Sequence, residues 1–330
     1  MHSKYLFKSV LAPYIQRLLE IKRTSGVIGT YNHWIFKELD EFAIQYGLQE
    51  PAITEDLIQS WRATRTNDCD RRIYFKFSAW IQLATLMKRS GIECYVPKLP
   101  KRPSSEFVPY IFTPTQIQDM LKKADEIRIS HFMITTGIMA FPCLLRLLYS
   151  TGLRISEALS ILNEDVQIEQ QYIRIRSSKN GCDRLVPICD SMKDSLLQYI
   201  HYRDQMPIDG INDGKRLLFV KCDGTAIKSN AISSYFIDVL KRCGIPYIGG
   251  HRGPRLHDLR HTYAVHVLAQ MARNGTDVYA CLPILSTALG HLSIASTEQY
   301  VRLTASMFPE IEEQCSQLNS FVFPMQYIRR

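Results

Sequence analysis

The sequence predicts a mainly α-helical chain with a small antiparallel β-sheet, an α+β protein in two parts. Three observations carry that expectation. Apolar residues recur at helical spacing through most of the 330 residues. A stretch rich in proline, serine and cations, residues 96–105, interrupts them. Two short runs of period two flank Asn180-Gly181, the kind of pair that closes a hairpin.

Ahead of the interruption, helices are expected over Phe7–Ile21, His33–Tyr46, Glu55–Trp61 and Arg71–Met87. In the last, Ile73, Phe77, Trp80, Ile81 and Ala84 form one face. Arg72 and Lys76 lie four apart on another, and Arg62, Arg65 and Arg71 add charge nearby. Such a face suits the phosphates of a polyanion, or equally a solvated basic surface on a core helix. The interruption itself, Val96 to Ser105, holds three prolines, two serines and the cations Lys98, Lys101 and Arg102. It reads as an extended linker that could lie along a phosphate backbone. The expected division is therefore a helical domain over residues 1–95, a linker over 96–107 and a second domain over 108–330.

After the linker, Thr113 is placed to cap a helix that starts at Pro114 and runs to about Asp125. An apolar segment follows to Ser150, with Gly152 as its stop. Tyr172–Arg176 and Arg184–Ile188 read as the two hairpin strands, and Leu217–Val220 as a third. From Ala231 onward the pattern is mainly helical. A tail, about 305–330, carries a helix over Ala305–Leu318 and then the apolar run Phe321-Val322-Phe323-Pro324-Met325.

Composition narrows the function classes. The chain is 46% hydrophobic and 22% charged, ordinary for a globular protein, and its formal net charge of +8 favours a polyanionic partner, nucleic acid first. Nine cysteines, an odd number with no C-x-x-C pair, argue against a disulfide framework and a cysteine-rich zinc site, and for a reducing cytosol. Met1–Tyr5 runs into no signal-peptide apolar core. The apolar stretch Phe132–Tyr149 is broken by Thr135, Thr136, Gly137, Pro142 and Arg146, so it reads as core and not as a membrane span. A cytoplasmic, DNA-associated protein is expected.

Six residues stand out chemically. Arg154 sits beside a short helix start in Thr151-Gly152-Leu153-Arg154, with Glu157 three residues on. A guanidinium there can bind an anion or simply pair with Glu157. Lys179, at the hairpin tip, can reach a leaving oxygen or stand as an ordinary turn lysine. In Leu256-His257-Asp258-Leu259-Arg260-His261, His257 and Arg260 are three apart, which on a helix aims both at one place. Two guanidinium groups can clamp both non-bridging oxygens of a phosphodiester. His257 and His261 also have the i, i+4 spacing of a zinc helix, but Asp258 stands where that motif needs Glu and no third ligand follows. His291 and Tyr300 close the set, with Tyr300 one of 17 tyrosines. Its phenol, titrating near ~10, is a poor nucleophile at neutral pH unless nearby guanidinium groups favour the phenolate.

In this order the six resemble the tyrosine recombinase family, the phage-type integrases. That family's pattern is an arginine, a hairpin lysine, His-x-x-Arg, a histidine or tryptophan, and a tyrosine nine residues later. Arg184-Leu185-Val186-Pro187 and Leu289-Gly290-His291 match as well, and the motifs span about 108–305. One departure is that Ala272–Leu289 is longer than the common spacing. The resemblance implies a site-specific recombinase that integrates, excises or resolves DNA, often on a mobile element. Its first domain would bind one side of duplex DNA through Arg71, Arg72, Lys76, Lys98, Lys101 and Arg102, and its second domain the other side. Tyr300 would form a transient 3′-phosphotyrosyl link, with Arg154 and Arg260 stabilising the transition state. Lys179 would be general acid, His257 would assist proton transfer and His291 would hydrogen-bond the phosphate. No metal and no cofactor are implied. Partners would be specific recombination sites, three further copies in a tetramer on two sites, and accessory DNA-bending proteins. The tail could dock on a neighbouring copy or on its own chain. Alternatives are a type IB topoisomerase-like relaxing enzyme, a non-catalytic DNA-binding regulator that keeps the fold, and a zinc hydrolase on His257 and His261.

Overall fold

A computed structural model describes residues 5–25, 30–103, 108–127, 136–176, 183–248, 253–291 and 293–308. The hairpin turn with Lys179 and the tail beyond 308 lie outside them. The chain divides into two compact units, Met1–Phe107 and Val108–Arg330.

The first unit is built on helices α1 (Ala12–Thr24), α2 (Thr30–Tyr46), α3 (Glu55–Ala63) and α4 (Asp70–Arg89). The first of these starts five residues later than Phe7, where periodicity alone would begin it. Buried Asp40 of α2 explains the delay: it accepts hydrogen bonds from Tyr5 Oη, the backbone N–H of Lys8 and Ser9, and Ser9 Oγ, which holds the chain extended. Pro13, within the first turn, has no N–H to leave unsatisfied. Thr54 caps α3 by accepting from Leu57 N, with Glu55 and Asp56 favourably placed at the positive end of the helix. Trp61 and Trp80 meet edge to face at 5.9 Å in the core, with Ile15, Phe36 and Leu83 around them.

Lys76 is not on the basic outer face. It is 2% exposed, with Nζ 2.5 Å from Glu38 and 2.6 Å from Asp68. A lysine so enclosed cannot reach a phosphate without breaking both ion pairs, so it leaves the set of DNA-contact candidates. Arg72 is exposed and pairs with Asp68 at 3.1 Å, while Arg71, Lys98, Lys101 and Arg102 are exposed. Residues 92–103 carry no regular secondary structure.

The second unit begins with α5 (Pro114–Asp125), closed by a reciprocal capping box between Thr113 and Gln116. Next come α6 (Phe141–Thr151) and the four-residue α7 (Ile155–Ala158). Gly152 ends α6 in the left-handed region, φ +64°, and a Cβ there would meet Tyr263 Cδ1 at 2.4 Å, so both backbone and packing require glycine.

The sheet has three antiparallel strands in the order β1 (Val166–Gln167), β2 (Tyr172–Ile175) and β3 (Arg184–Pro187). Ile173 pairs with Val186 and Ile175 with Arg184. Ile173, Ile175 and Val186 face the core while Leu185 is exposed, as period-two alternation requires. The expected third strand at Leu217–Val220 does not join this sheet. Leu217 and Val220 make only isolated bridges, to Leu162 and Ala226, and Leu218 N donates to Ile161 O. Buried apolar residues marked that segment without specifying a partner strand.

Helices α8 (Asp190–Asp204), α9 (Ser229–Arg242), α10 (Asp258–Arg273), α11 (Val278–Leu289) and α12 (Ala295–Met307) complete the unit. The extra length of Ala272–Leu289 is the turn and α11, capped by Asp277 and carrying Pro283 inside it. Helix α10 packs against α6, α11 and α12. It is the spine from which the site is hung. Among the described residues no helix is long and apolar enough to cross a membrane.

Candidate active site

Five of the six sequence-selected residues come together in the second unit; Lys179 lies outside the described residues. Arg154 is the residue before α7, where its backbone N–H donates to Glu157 Oε2 at 3.0 Å and its Nη1 to Oε1 at 2.8 Å. Glu157 is 5% exposed and also accepts from Arg184 Nη2 at 3.0 Å. Burial works to raise its pKa, but the hydrogen bonds and charges of Arg184 and Arg154 outweigh it and hold the carboxyl below its ordinary range.

Arg260 is on the first turn of α10. It is 2% exposed, and donates Nη1 to Gly152 O at 2.8 Å and Nη2 to Leu289 O at 2.6 Å. It thereby ties the end of α6 to the end of α11. Burial and the Arg154 charge push its pKa down to about 10, so it stays charged at neutral pH. Asp258, in the same turn, is buried and accepts from Arg255 N at 2.8 Å and Arg255 Nη2 at 3.3 Å.

His257 precedes α10 and is itself exposed. Partial desolvation, then the charges of Arg260, Arg154 and Arg255, push its pKa down to about 4. Because solvent reaches the residue, desolvation is partly relieved and the three guanidinium groups are the cause that persists. His291 follows Gly290, the left-handed C-cap of α11. Its pKa is also pushed down to about 4, by burial and then by Arg260, Arg154 and Arg184. Its ring lies nearly parallel to that of Tyr300, with centroids 6.3 Å apart and planes 13° from each other. Nδ1 is 2.8 Å from Thr297 Oγ1.

Tyr300 is 1% exposed, on the inner face of α12. Its pKa is raised, contrary to the expectation that the arginines would favour the phenolate. Burial is the larger effect; the Arg260 and Arg154 charges and a hydrogen bond from Arg260 only offset it. The phenol is therefore protonated. Its Oη lies 2.9 Å from His261 Nδ1, and burial and neighbouring cations push the His261 pKa down to about 3. The direction of this hydrogen bond follows the His261 tautomer: with the ring proton on Nε2, Nδ1 accepts from the phenol, and with it on Nδ1 the ring donates to Oη.

Arg184 and His261, which the sequence places inside matching motifs without a role, and Thr297, which it does not single out, join the site. The sequence offers His261 as one half of a zinc pair and as the last residue of the matching 257–261 segment. Its ring is 5.0 Å from that of His257, but Nδ1 faces Tyr300, and among the described residues no group of three or more His, Cys, Asp or Glu gathers to hold a metal. Its place one turn after His257 on α10 is the signal that could have paired it with Tyr300.

Residues 111–307 match the phage integrase family. The chain belongs to that family. It is 30% identical over 273 residues to the putative integrase/recombinase y4rB of Sinorhizobium fredii, covering 80% of this chain and 83% of that one. It is 24% identical to the tyrosine recombinase XerA of Pyrococcus furiosus, over 76% of this chain and 73% of that one. The fold matches that of the Tn1549 transposon integrase, solved in complex with transposon right end DNA, with TM-score 0.61, 16% identity, and 90% and 99% of the two chains covered. As a tyrosine recombinase of this family, the enzyme cleaves and rejoins DNA strands site-specifically.

Proposed function

We propose that Tyr300 is the nucleophile of this recombinase, acting on duplex DNA that carries its recombination sites. The phenol oxygen attacks the scissile phosphorus and the bond to the 5′-oxygen breaks, leaving a 3′-phosphotyrosyl link and a 5′-hydroxyl. The observation that supports the reading is the geometry of the site: the Tyr300 ring lies 6.3 Å from that of His291 and its Oη 2.9 Å from His261, whose ring is 5.0 Å from that of His257, while Arg260 binds the carbonyls of Gly152 and Leu289, the residues that lead to Arg154 and His291. Arg154 and Arg260 neutralise the phosphorane-like charge, His257 assists proton transfer and neutral His291 donates to a phosphate oxygen. His261 Nδ1, 2.9 Å from the phenol oxygen, orients Tyr300; with its pKa pushed down to about 3 it does not keep the proton, which passes on with the help of His257. Lys179, which falls between β2 and β3 in the sequence, protonates the leaving 5′-oxygen. Since Tyr300 is buried, DNA entry requires α12 to shift so that the phenol meets the phosphate. The linkage conserves the bond energy for rejoining.

The first unit supplies a second DNA surface through Arg71, Arg72, Lys98, Lys101 and Arg102, all exposed. Four copies act together on two sites, with accessory proteins bending the DNA. The test is a nicked duplex selected by the wild-type chain from a randomised pool. Tyr300→Phe keeps DNA binding and loses the covalent adduct; an adduct persisting in that variant removes Tyr300 from the mechanism. Arg154→Ala slows cleavage by ~10²- to 10³-fold, the scale of losing one transition-state donor. Relaxation of supercoiled DNA of any sequence would instead favour a topoisomerase.

A further inference from the structure

We infer that Arg184 is a positioning residue for cleavage, acting through Arg154 and His291 without touching the phosphate. The inference rests on the reading of Arg154 given above. Arg184 opens β3, is 7% exposed, and divides its guanidinium between two elements. Nη1 and Nη2 donate to Glu157 at 3.3 and 3.0 Å, and Nε donates to Ala288 O at 2.9 Å.

The consequence for Arg154 is electrostatic. One buried carboxylate, Glu157, serves two guanidinium groups, Arg154 from its own turn and Arg184 from the sheet. With Arg184 in place, part of the Glu157 charge is already committed, and Arg154 is held by it without being fully neutralised. Without Arg184, the whole charge falls on Arg154, which is drawn toward Glu157 and away from an incoming anion.

The consequence for His291 is geometric. Ala288 O is one of the carbonyls left without an intrahelical partner at the end of α11, and Arg184 satisfies it. Arg260 does the same for the next carbonyl, Leu289 O. The two guanidinium groups thus fix the turn that delivers His291. Gly290 is shaped to admit Arg184: its φ is +67°, and a Cβ there would meet Arg184 Nη1 at 2.8 Å.

A methionine or lysine at 184 separates these functions. Cleavage is followed in single turnover at saturating DNA on the selected nicked duplex, with affinity measured separately by anisotropy. Arg184→Met keeps the stem and removes the fork; it lowers the cleavage rate by ~10²-fold, the effect of a small misplacement of catalytic groups, with affinity nearly unchanged. Arg184→Lys keeps a charge but cannot reach both Glu157 and Ala288, and recovers only part of the rate. In an Arg154→Ala background the share of the loss carried by Arg154 disappears and the share carried through Ala288 and His291 remains, so either change costs clearly less than it does with Arg154 in place. If Arg184→Met does not fold, the lysine variant carries the same comparison. Wild-type rates in both variants, or an undiminished loss in the Arg154→Ala background, overturn the inference. Failure of the wild type to form any Tyr300 adduct would instead overturn the reading of the reaction, before any Arg184 variant is compared.

Discussion

Replacing Glu157 with glutamine gives the most demanding test of how the site is assembled. The carboxylate accepts four hydrogen bonds, two from Arg154 and two from Arg184, at 2.8 to 3.3 Å. An amide of the same shape keeps one acceptor and turns an NH2 toward a guanidinium, so about half of these bonds are lost. Removing one partner of a buried charge pair costs roughly 3–5 kcal/mol. Arg154 is 22% exposed and solvent relieves part of its share, so the lower end, ~3 kcal/mol, applies. For a unit of this size that is a fall in Tm of roughly 10 °C. The pH dependence has a definite sign. The folded-state pKa of Glu157 lies below its ordinary value, so its contribution is full above the ordinary carboxylate range and is lost as pH falls through the folded value. Denaturant unfolding of wild type and Glu157→Gln at pH 7 and near pH 4 should show the difference shrinking at the lower pH. A difference below ~1 kcal/mol at pH 7 would show that the two arginines are not held by this carboxylate.

Other outcomes follow from the same geometry. Gly290→Ala places a side chain at positive φ and against Arg184, so it should cost ~2 kcal/mol and slow cleavage more than it weakens DNA binding; wild-type kinetics would refute the need for that close approach. His257, His261 and His291 have folded pKa values of about 4, 3 and 4, below the unfolded value. Their contribution to stability is therefore full above about pH 6.5 and declines as pH falls from there toward the folded values; His261→Asn should flatten the Tm-against-pH curve in that window. In the first unit, Lys76→Met should lower stability and leave DNA affinity unchanged in the folded fraction. Arg71→Ala should do the reverse and reduce the salt slope of binding by about 1.

Much of the candidate site was legible because its residues are chemically rare in combination and regularly spaced. Thr113-Pro114, Gly152 and the 172–187 hairpin strands announced themselves by local chemistry: a cap, a left-handed stop, and alternation. The sheet's third strand was not legible, since two residues at 166–167 carry no periodicity and Leu217–Val220 is apolar for burial alone. Lys76 was misread because helical spacing places a residue on a face but does not say what α2 and the turn before α4 bring against that face.

Local sequence thus determined which residues could do the chemistry and which helices would carry them, because caps, turn residues and periodicity act over a few positions. Only the tertiary structure decided how they are charged and held. Tyr300 has its pKa raised because burial outweighs two arginines, and no spacing encodes that balance. His261 becomes the partner of Tyr300 across 39 residues, and Glu157 is shared by an arginine three residues away and another 27 away. Such long-range pairings depend on desolvation and on the packing of α7, β3, α10, α11 and α12 around one another, which exist only in the folded chain.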